Sequence, residues 1–256
     1  MTRQSLGEVY ERADIYEAVY RARRKDYRAE AAEAVALARQ AGGPGASSLL
    51  DVACGNGPHL RYFREEFAHV EGIDVSEDMV RLARRNLPGV PVHQGDMENF
   101  RLDSAFDVIT CMFSSVGYLS TAAELTASMR TFARHLNPGG VIVLEPWYFP
   151  DEFVPGQIMS TLATEEDRTI SRISHATRKG DFAQVVAHYL VADSATGVQH
   201  FIDSHDLALF TREEYETAFA HAGCSVTYHP RGPRVGMFVA TLDTGSPARD
   251  AAWHTV

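Results

Sequence analysis

The sequence predicts an α/β fold in which a largely parallel sheet carries an antiparallel β insertion. Three observations predict it. Short apolar runs alternate with helical patterns from Ser47 to Leu144, the form of repeated βα units. The first of these runs ends in a glycine turn, Gly55 to Gly57, that opens a helix at Pro58. Beyond about residue 150 the pattern changes to alternating, β-branched-rich stretches joined by glycine turns, as in antiparallel hairpins.

The elements follow in order. Four strands are expected at Ser48 to Ala53, Val70 to Val75, Val90 to Gln94 and Phe106 to Met112. Thr121 and Glu124 form a T-x-x-E capping box, and Leu125, Met129, Phe132 and Leu136 repeat at spacings of four, three and four, which makes that segment an amphipathic helix. The Asn137-Pro-Gly-Gly140 turn then leads into a fifth strand, Val141 to Glu145. Arg168 to Thr177, Phe182 to Val191 and Val198 to Phe210 read as three insertion strands, linked at Lys179-Gly-Asp and Ala195-Thr-Gly. A helix from Thr211 to His221 stops at Gly223, and strands near Ser225 to Tyr228 and Gly236 to Thr241 return to the main sheet. The domain organisation expected is a single domain over residues 1–242, with the insertion at about 151–210 and a disordered tail at 243–256. No internal repeat is present.

Composition limits the function. With 45% apolar residues in 256 the chain can bury one sizeable core. Its net charge of −10 disfavours nucleic acid, whose affinity rests on Lys and Arg neutralising phosphates. One basic run, Arg21 to Arg28, departs from that balance: it reads as a solvated helix face or as a contact for an anionic group on a small substrate. Cys54, Cys111 and Cys224 are widely spaced with no CxxC pair, so neither a disulfide framework nor a zinc site is indicated. No apolar run approaches the ~18 residues of a spanning helix, and the first thirty residues lack a leader's apolar core. The expectation is a cytoplasmic protein without membrane contact.

The segment Leu49-Leu-Asp-Val-Ala-Cys-Gly-Asn-Gly57 is the strongest chemical signal. Glycines let the backbone pass close to a ligand, and the helix start offers unpaired N–H groups. A dinucleotide fingerprint needs glycine at position 60, which is Leu60. The acidic Asp51 before the turn suits a zwitterionic, positively charged ligand better than a pyrophosphate. Asp74 closes the second strand, where a carboxylate accepts from ribose hydroxyls. Asp96 closes the third, placed to accept an adenine N–H while Met97 covers the ring. Val75, Met79, Cys54 and Asn56 flank these positions. His59, in the first helical turn, reads as a ligand contact or, more simply, as solvent-facing, and Met112 reads equally as ligand contact or core.

Acidic-x-Ala-Cys-Gly-x-Gly, then Asp74, then Gly95-Asp96, then Asn-Pro-Gly-Gly140 before a strand resembles the Rossmann-like class I methyltransferases, with Ala53 standing for their first glycine. Thr110-Cys-Met-Phe-Ser-Ser-Val-Gly-Tyr-Leu119, Glu145-Pro-Trp-Tyr-Phe-Pro150, Arg172-Ile-Ser-His175, Ala13-Asp-Ile-Tyr16 and Lys25-Asp-Tyr27 narrow the resemblance. Together they look like the TDP-amino-sugar N,N-dimethyltransferases of macrolide biosynthesis, the desosamine and mycaminose enzymes, over about Tyr10 to Ala240.

That resemblance implies two successive methyl transfers from S-adenosylmethionine to the amine of a nucleotide-linked deoxyhexose, with no metal expected. It implies catalytic candidates Tyr10, Ser115 and Tyr118, the last at a position that is histidine in some relatives, and it sets Tyr16 at the cofactor. Trp147, Arg172, Ser174 and Arg178 correspond to a sugar-nucleotide pocket, and an alternating strand puts the two arginines and Ser174 on one face. The relatives' late Gly-Pro-Ser-Gly-Arg-Gly segment is Gly232-Pro-Arg-Val-Gly236 here, which leaves Arg234 to replace the shifted guanidinium. A homodimer is the candidate assembly. Two rivals compete: a small-molecule O- or mono-N-methyltransferase, and a noncatalytic protein that binds S-adenosylmethionine.

Overall fold

The structure, a computed structural model, describes residues 9, 12–42, 45–232 and 234–243. The expected tail therefore lies, apart from Asp243, outside the described residues, as does Tyr10. Two helices come first, α1 (Ala13–Ala22) and α2 (Tyr27–Gly42). A seven-stranded sheet then forms in the order β10-β11-β5-β4-β1-β2-β3. Its strands are β1 (Ser48–Val52), β2 (His69–Asp74), β3 (Val92–Gln94), β4 (Phe106–Cys111), β5 (Leu136–Leu144), β10 (Cys224–Arg231) and β11 (Arg234–Leu242). The β3-β2-β1-β4-β5 stretch is parallel, and β11 pairs antiparallel with β5 and β10.

The interior strands are buried almost throughout because helices cover both faces of the sheet. These helices are α3 (Leu60–Glu66), α4 (Glu77–Asn86), α5 (Ala122–Arg134) and α6 (Arg212–His221). On α5 the predicted Leu125, Met129 and Phe132 are wholly buried, each such side chain contributing ~1.5–3 kcal/mol. Thr121 caps that helix by accepting from the Glu124 N–H. At α6, Thr211 and Glu214 form a complete capping box.

The insertion is a separate four-stranded antiparallel sheet, β6 (Ile158–Thr164), β7 (Arg168–Lys179), β8 (Phe182–Asp193) and β9 (Gly197–Ala208). The sequence predicts only three of these strands. β6 is an edge strand with Ile158, Met159 and Leu162 all exposed, so it lacks the in-out polarity that betrays its neighbours. A second difference lies at Asn137 to Gly140. β5 already begins at Leu136, and the expected turn is absorbed where the register with β4 shifts between Phe106 and Val108.

Two features of this topology position the site. The order of the main sheet reverses at β1, with β2 on one side and β4 on the other, and a crevice opens at such a switch point beyond the strand carboxyl ends. The second sheet packs part of its inner face on α1, through Ile15, Ala18 and Val19 against Ile170, Ala187 and Tyr189. The rest of that face is left to roof the crevice.

Candidate active site

A cavity of about 360 Å³ lies between the two sheets, walled by the loop after β1, the ends of β2 and β4, helix α1 and the inner face of β7, β8 and β9. Its floor is the predicted glycine loop. Ala53, Gly55 and Gly57 all have positive φ, at 56°, 56° and 85°. A side chain on Gly57 would strike Leu87, whereas one on Gly55 would meet open space. The first glycine therefore serves a ligand's approach and the second serves packing. Asp74 holds the loop in place: its Oδ2 accepts from the Gly55 N–H at 2.8 Å and its Oδ1 from the Ser76 N–H at 2.9 Å. Burial raises the Asp74 carboxyl above its ordinary range, and those backbone bonds work against the rise.

Asp51 sits deeper. It is buried, accepts from Thr110 Oγ1 at 2.7 Å, and is pushed up to about 6 by loss of solvent. Neither Asp51 nor Asp74 has an ion pair among the described residues. Asp51 and Gly57 do not wall the cavity, and neither does Asp96, whose Oδ1 accepts from the Glu98 N–H. Ala53, Cys54, Asn56 and Val75 do, as do Met79, Met97 and Met112.

Tyr16 lines the cavity from α1, with Tyr20 beside it at 4.4 Å between ring centroids. His59 takes the cavity-facing of its two expected places, not the simpler solvent-facing one. It is 4% exposed, lines the cavity and meets Glu30 at 2.9 Å, while Glu30 also takes the Lys25 ammonium at 2.6 Å. Burial alone would raise the Glu30 carboxyl, but hydrogen bonds from His59 and Lys25 outweigh it and hold the group below its usual value. This network ties α2 to the glycine-loop helix. Lys25 lies over the Phe113 ring at 3.9 Å, an approach that also draws in the next loop.

That loop follows β4 and is strained, because Phe113 and Ser114 are successive left-handed residues, at φ 58° and 60°, costing ~1–3 kcal/mol each. The surroundings hold it. The Phe113 N–H donates to Glu145 Oε2 at 2.7 Å, and Ser114 Oγ donates to the Pro146 carbonyl at 2.8 Å. Arg231 in turn bridges Glu145 and Glu33 of α2. The predicted Ser115 and Tyr118 stand at the two ends of the 3-10 turn that follows, and both wall the cavity with Trp147.

In the roof, period-two alternation brings Arg172, Ser174 and Ala176 inward from β7. Arg172 is 7% exposed, donating from Nε to Tyr189 Oη at 3.0 Å and from Nη1 to Ser174 Oγ at 2.8 Å. No carboxylate pairs with it among the described residues. Arg178 shares the strand parity but not the site. It lies at the exposed strand end, bonded to the Pro150 and Gly180 carbonyls. Arg234 opens β11, and its side chain lies outside the described residues.

Three further groups line the roof or wall, and of these only Arg23 lies in a segment that the sequence marks. Tyr189 and His205 occupy inward positions of β8 and β9 that the same alternation would have placed. Arg23, from the basic run, lines the cavity, donates to Thr161 Oγ1 at 2.9 Å, and leaves Nη2 buried without a hydrogen-bond partner among the described residues.

The residues of the floor fit S-adenosylmethionine: an approachable loop, a strand-end carboxylate for hydroxyls, methionine surfaces, and buried carboxylates without cations beneath. Comparison with known proteins agrees. A family described as "Methyltransferase domain" matches residues 49–140. The chain is 48% identical over 228 residues, 89% of its length and 96% of the relative's, to dTDP-3-amino-3,4,6-trideoxy-alpha-D-glucopyranose N,N-dimethyltransferase of Streptomyces venezuelae. It is 45% identical, over 89% of this chain and 91% of the relative, to dTDP-4-amino-2,3,4,6-tetradeoxy-D-glucose N,N-dimethyltransferase of Saccharopolyspora spinosa. Among solved structures, that of SAM-bound CalS10, an amino pentose methyltransferase of Micromonospora echinaspora involved in calicheamicin biosynthesis, superposes with a TM-score of 0.80 at 45% identity, covering 89% of this chain and 96% of that one.

Proposed function

The chain belongs to the dTDP-amino-sugar N,N-dimethyltransferases, class I enzymes that use S-adenosylmethionine, and on that premise we propose how its own residues divide the work. S-adenosylmethionine supplies a methyl on a sulfonium whose departure leaves a neutral thioether. Alignment and a neutral amine are then the protein's main tasks.

The glycine loop from Ala53 to Asn56, Asp74, Val75, Met79 and Met97 hold the donor, with Tyr16 over it. Arg172 and Arg23 receive the nucleotide's diphosphate, beside Ser174 and Trp147. Ser115 and Tyr118, on the turn between these halves, border the amine. The roles expected of Tyr10, Arg178 and Arg234 have no such support. The observation that carries this assignment is that a buried floor carboxylate, Asp74, with no cation paired to it, and a buried roof guanidinium, Arg172, with no carboxylate paired to it among the described residues, line one cavity, with the Arg23 guanidinium at its wall. A cationic donor and an anionic acceptor meet opposite charge there.

Residues 1–242 act as one catalytic domain in this reading, working in the cytoplasm of an antibiotic producer, with no helix of the described residues long and apolar enough to cross a membrane. The second sheet turns Ile158, Leu162, Ile173, Leu190 and Ile202 outward. Such a face suits burial against a second copy of the chain.

The test is mass spectrometry of reactions with dTDP-3-amino and dTDP-4-amino deoxyhexoses. Two added methyls on nitrogen are expected with one of them. A methyl ether, or a monomethyl product that never advances with excess donor, would contradict the assignment.

A further inference from the structure

We infer that His205, backed by Asp203, is the positioning residue through which Tyr118 accepts the proton lost by the sugar amine; this rests on the amine-methylating reading above. Three side chains form a row into the cavity wall. Tyr118 Oη lies 3.1 Å from His205 Nδ1, and His205 Nε2 lies 2.7 Å from Asp203 Oδ2. Tyr118 and His205 both line the cavity, their rings meeting edge-on at 5.7 Å. Asp203 lies behind them, 2% exposed. Apart from this 2.7 Å contact, Asp203 Oδ2 has no hydrogen-bond partner among the described residues.

The fold holds this row in register. Asp203 and His205 are two apart on β9 and so share its inner face. The turn carrying Tyr118 is pressed onto the same strand, since a side chain added at Gly117 would come within 3.1 Å of Trp147 and 3.5 Å of Leu207. The carboxylate sets the tautomer: with Nε2 toward Asp203 the imidazole carries its proton there, and Nδ1 is left to accept from the Tyr118 hydroxyl. A tyrosine that donates its hydrogen to the imidazole turns oxygen lone pairs toward the cavity, which is what an amine N–H requires.

The proton then has a path that balances. The amine lone pair forms the new bond to carbon, and the pair of the broken carbon–sulfur bond stays on sulfur. The resulting ammonium gives a proton to Tyr118 Oη as the tyrosine's own proton passes to His205 Nδ1. The imidazolium so formed lies against the Asp203 carboxylate, which favours its charge. The nitrogen is neutral again and ready for a second methyl.

Two measurements test this. In histidine-labelled protein without any ligand, nitrogen-15 NMR, with the His205 signals identified by their loss in His205→Gln, should show Nε2 protonated and Nδ1 not, and Tyr118→Phe should shift Nδ1. A His205 protonated at Nδ1 would overturn the proposal. In turnover of the amino-sugar nucleotide, His205→Gln should lower kcat roughly tenfold while the apparent KM for S-adenosylmethionine stays unchanged. In the Tyr118→Phe and Tyr118→His backgrounds the same change should cost less than about twofold, because the link is already absent or an imidazole stands at the amine itself. Equal losses in all three backgrounds would mean that His205 serves packing alone. Absence of any N-methylated product from the wild-type chain would instead refute the amine reading, and the NMR result would still decide the tautomer.

Discussion

The floor and the roof of the cavity carry opposite kinds of incomplete electrostatics. Beneath the glycine loop, Asp51 and Asp74 are buried carboxylates held by a hydroxyl and by backbone N–H groups, with no cation paired to either among the described residues. In the roof, Arg172 is a buried guanidinium held by two hydroxyls, and no carboxylate pairs with it there. Leaving a buried charge uncompensated is costly. Both halves retain that cost where a partner of opposite sign would remove it, a sulfonium amino acid below and a diphosphate above. The difference matches the opposite charges of the two proposed ligands, independently of any motif.

Substitutions should separate the two halves. The largest effect is expected for Asp74→Ala, which removes a ribose acceptor and also frees the Gly55 and Ser76 N–H groups. The affinity for S-adenosylmethionine should fall at least a hundredfold, ~3 kcal/mol, by calorimetry, with the protein still folded. Unaltered affinity would remove Asp74 from the cofactor site. Arg172→Ala comes next. Losing a charge-assisted contact, ~1.5–2 kcal/mol, should raise the apparent KM for the sugar nucleotide about tenfold or more in steady-state assays and leave that for S-adenosylmethionine near its wild-type value. A rise shared by both substrates would show that Arg172 only holds the roof together through Tyr189 and Ser174.

The two halves also differ in how far the sequence disclosed them. Asp51, Gly55 and Asp74 lie in or beside strand ends whose apolar runs and glycine turn are local signals, so spacing alone points to that loop, although Asp51 sits behind the cavity wall. Arg172, Ser174 and Trp147 were reached through resemblance, and local pattern could not tell that Arg178, of the same parity, ends outside the cavity. Tyr189 and His205 went unremarked because an aromatic or a histidine on an alternating strand is ordinary sheet composition until another element packs over it. The Glu30–His59 contact joins residues 29 apart in sequence, and only the docking of α2 onto the glycine-loop helix makes it. The edge strand β6 lacked the polarity that periodicity requires.

A separate effect, on stability and not on binding, concerns pH. Asp51 is raised to about 6 in the folded protein and stands near 3.9 when unfolded. Between those values the folded state keeps a proton that the unfolded state has lost, so this group's contribution to stability is greatest below about pH 4 and declines as pH rises toward 6. Asp51→Asn should remove that decline. Relative to wild type, its unfolding free energy in urea should improve with pH across the window, by up to ~1.4 kcal/mol per pH unit. A constant difference would show that the carboxyl ionises normally in place.

The most direct test of the division is calorimetric titration of two ligands, S-adenosylmethionine and dTDP, into Asp74→Ala and Arg172→Ala separately. The expected result is a crossover: Asp74→Ala loses the first ligand and keeps the second, and Arg172→Ala does the reverse. Parallel losses of both ligands in each variant, or dTDP binding that ignores Arg172, would contradict a cavity with one half built for each charge.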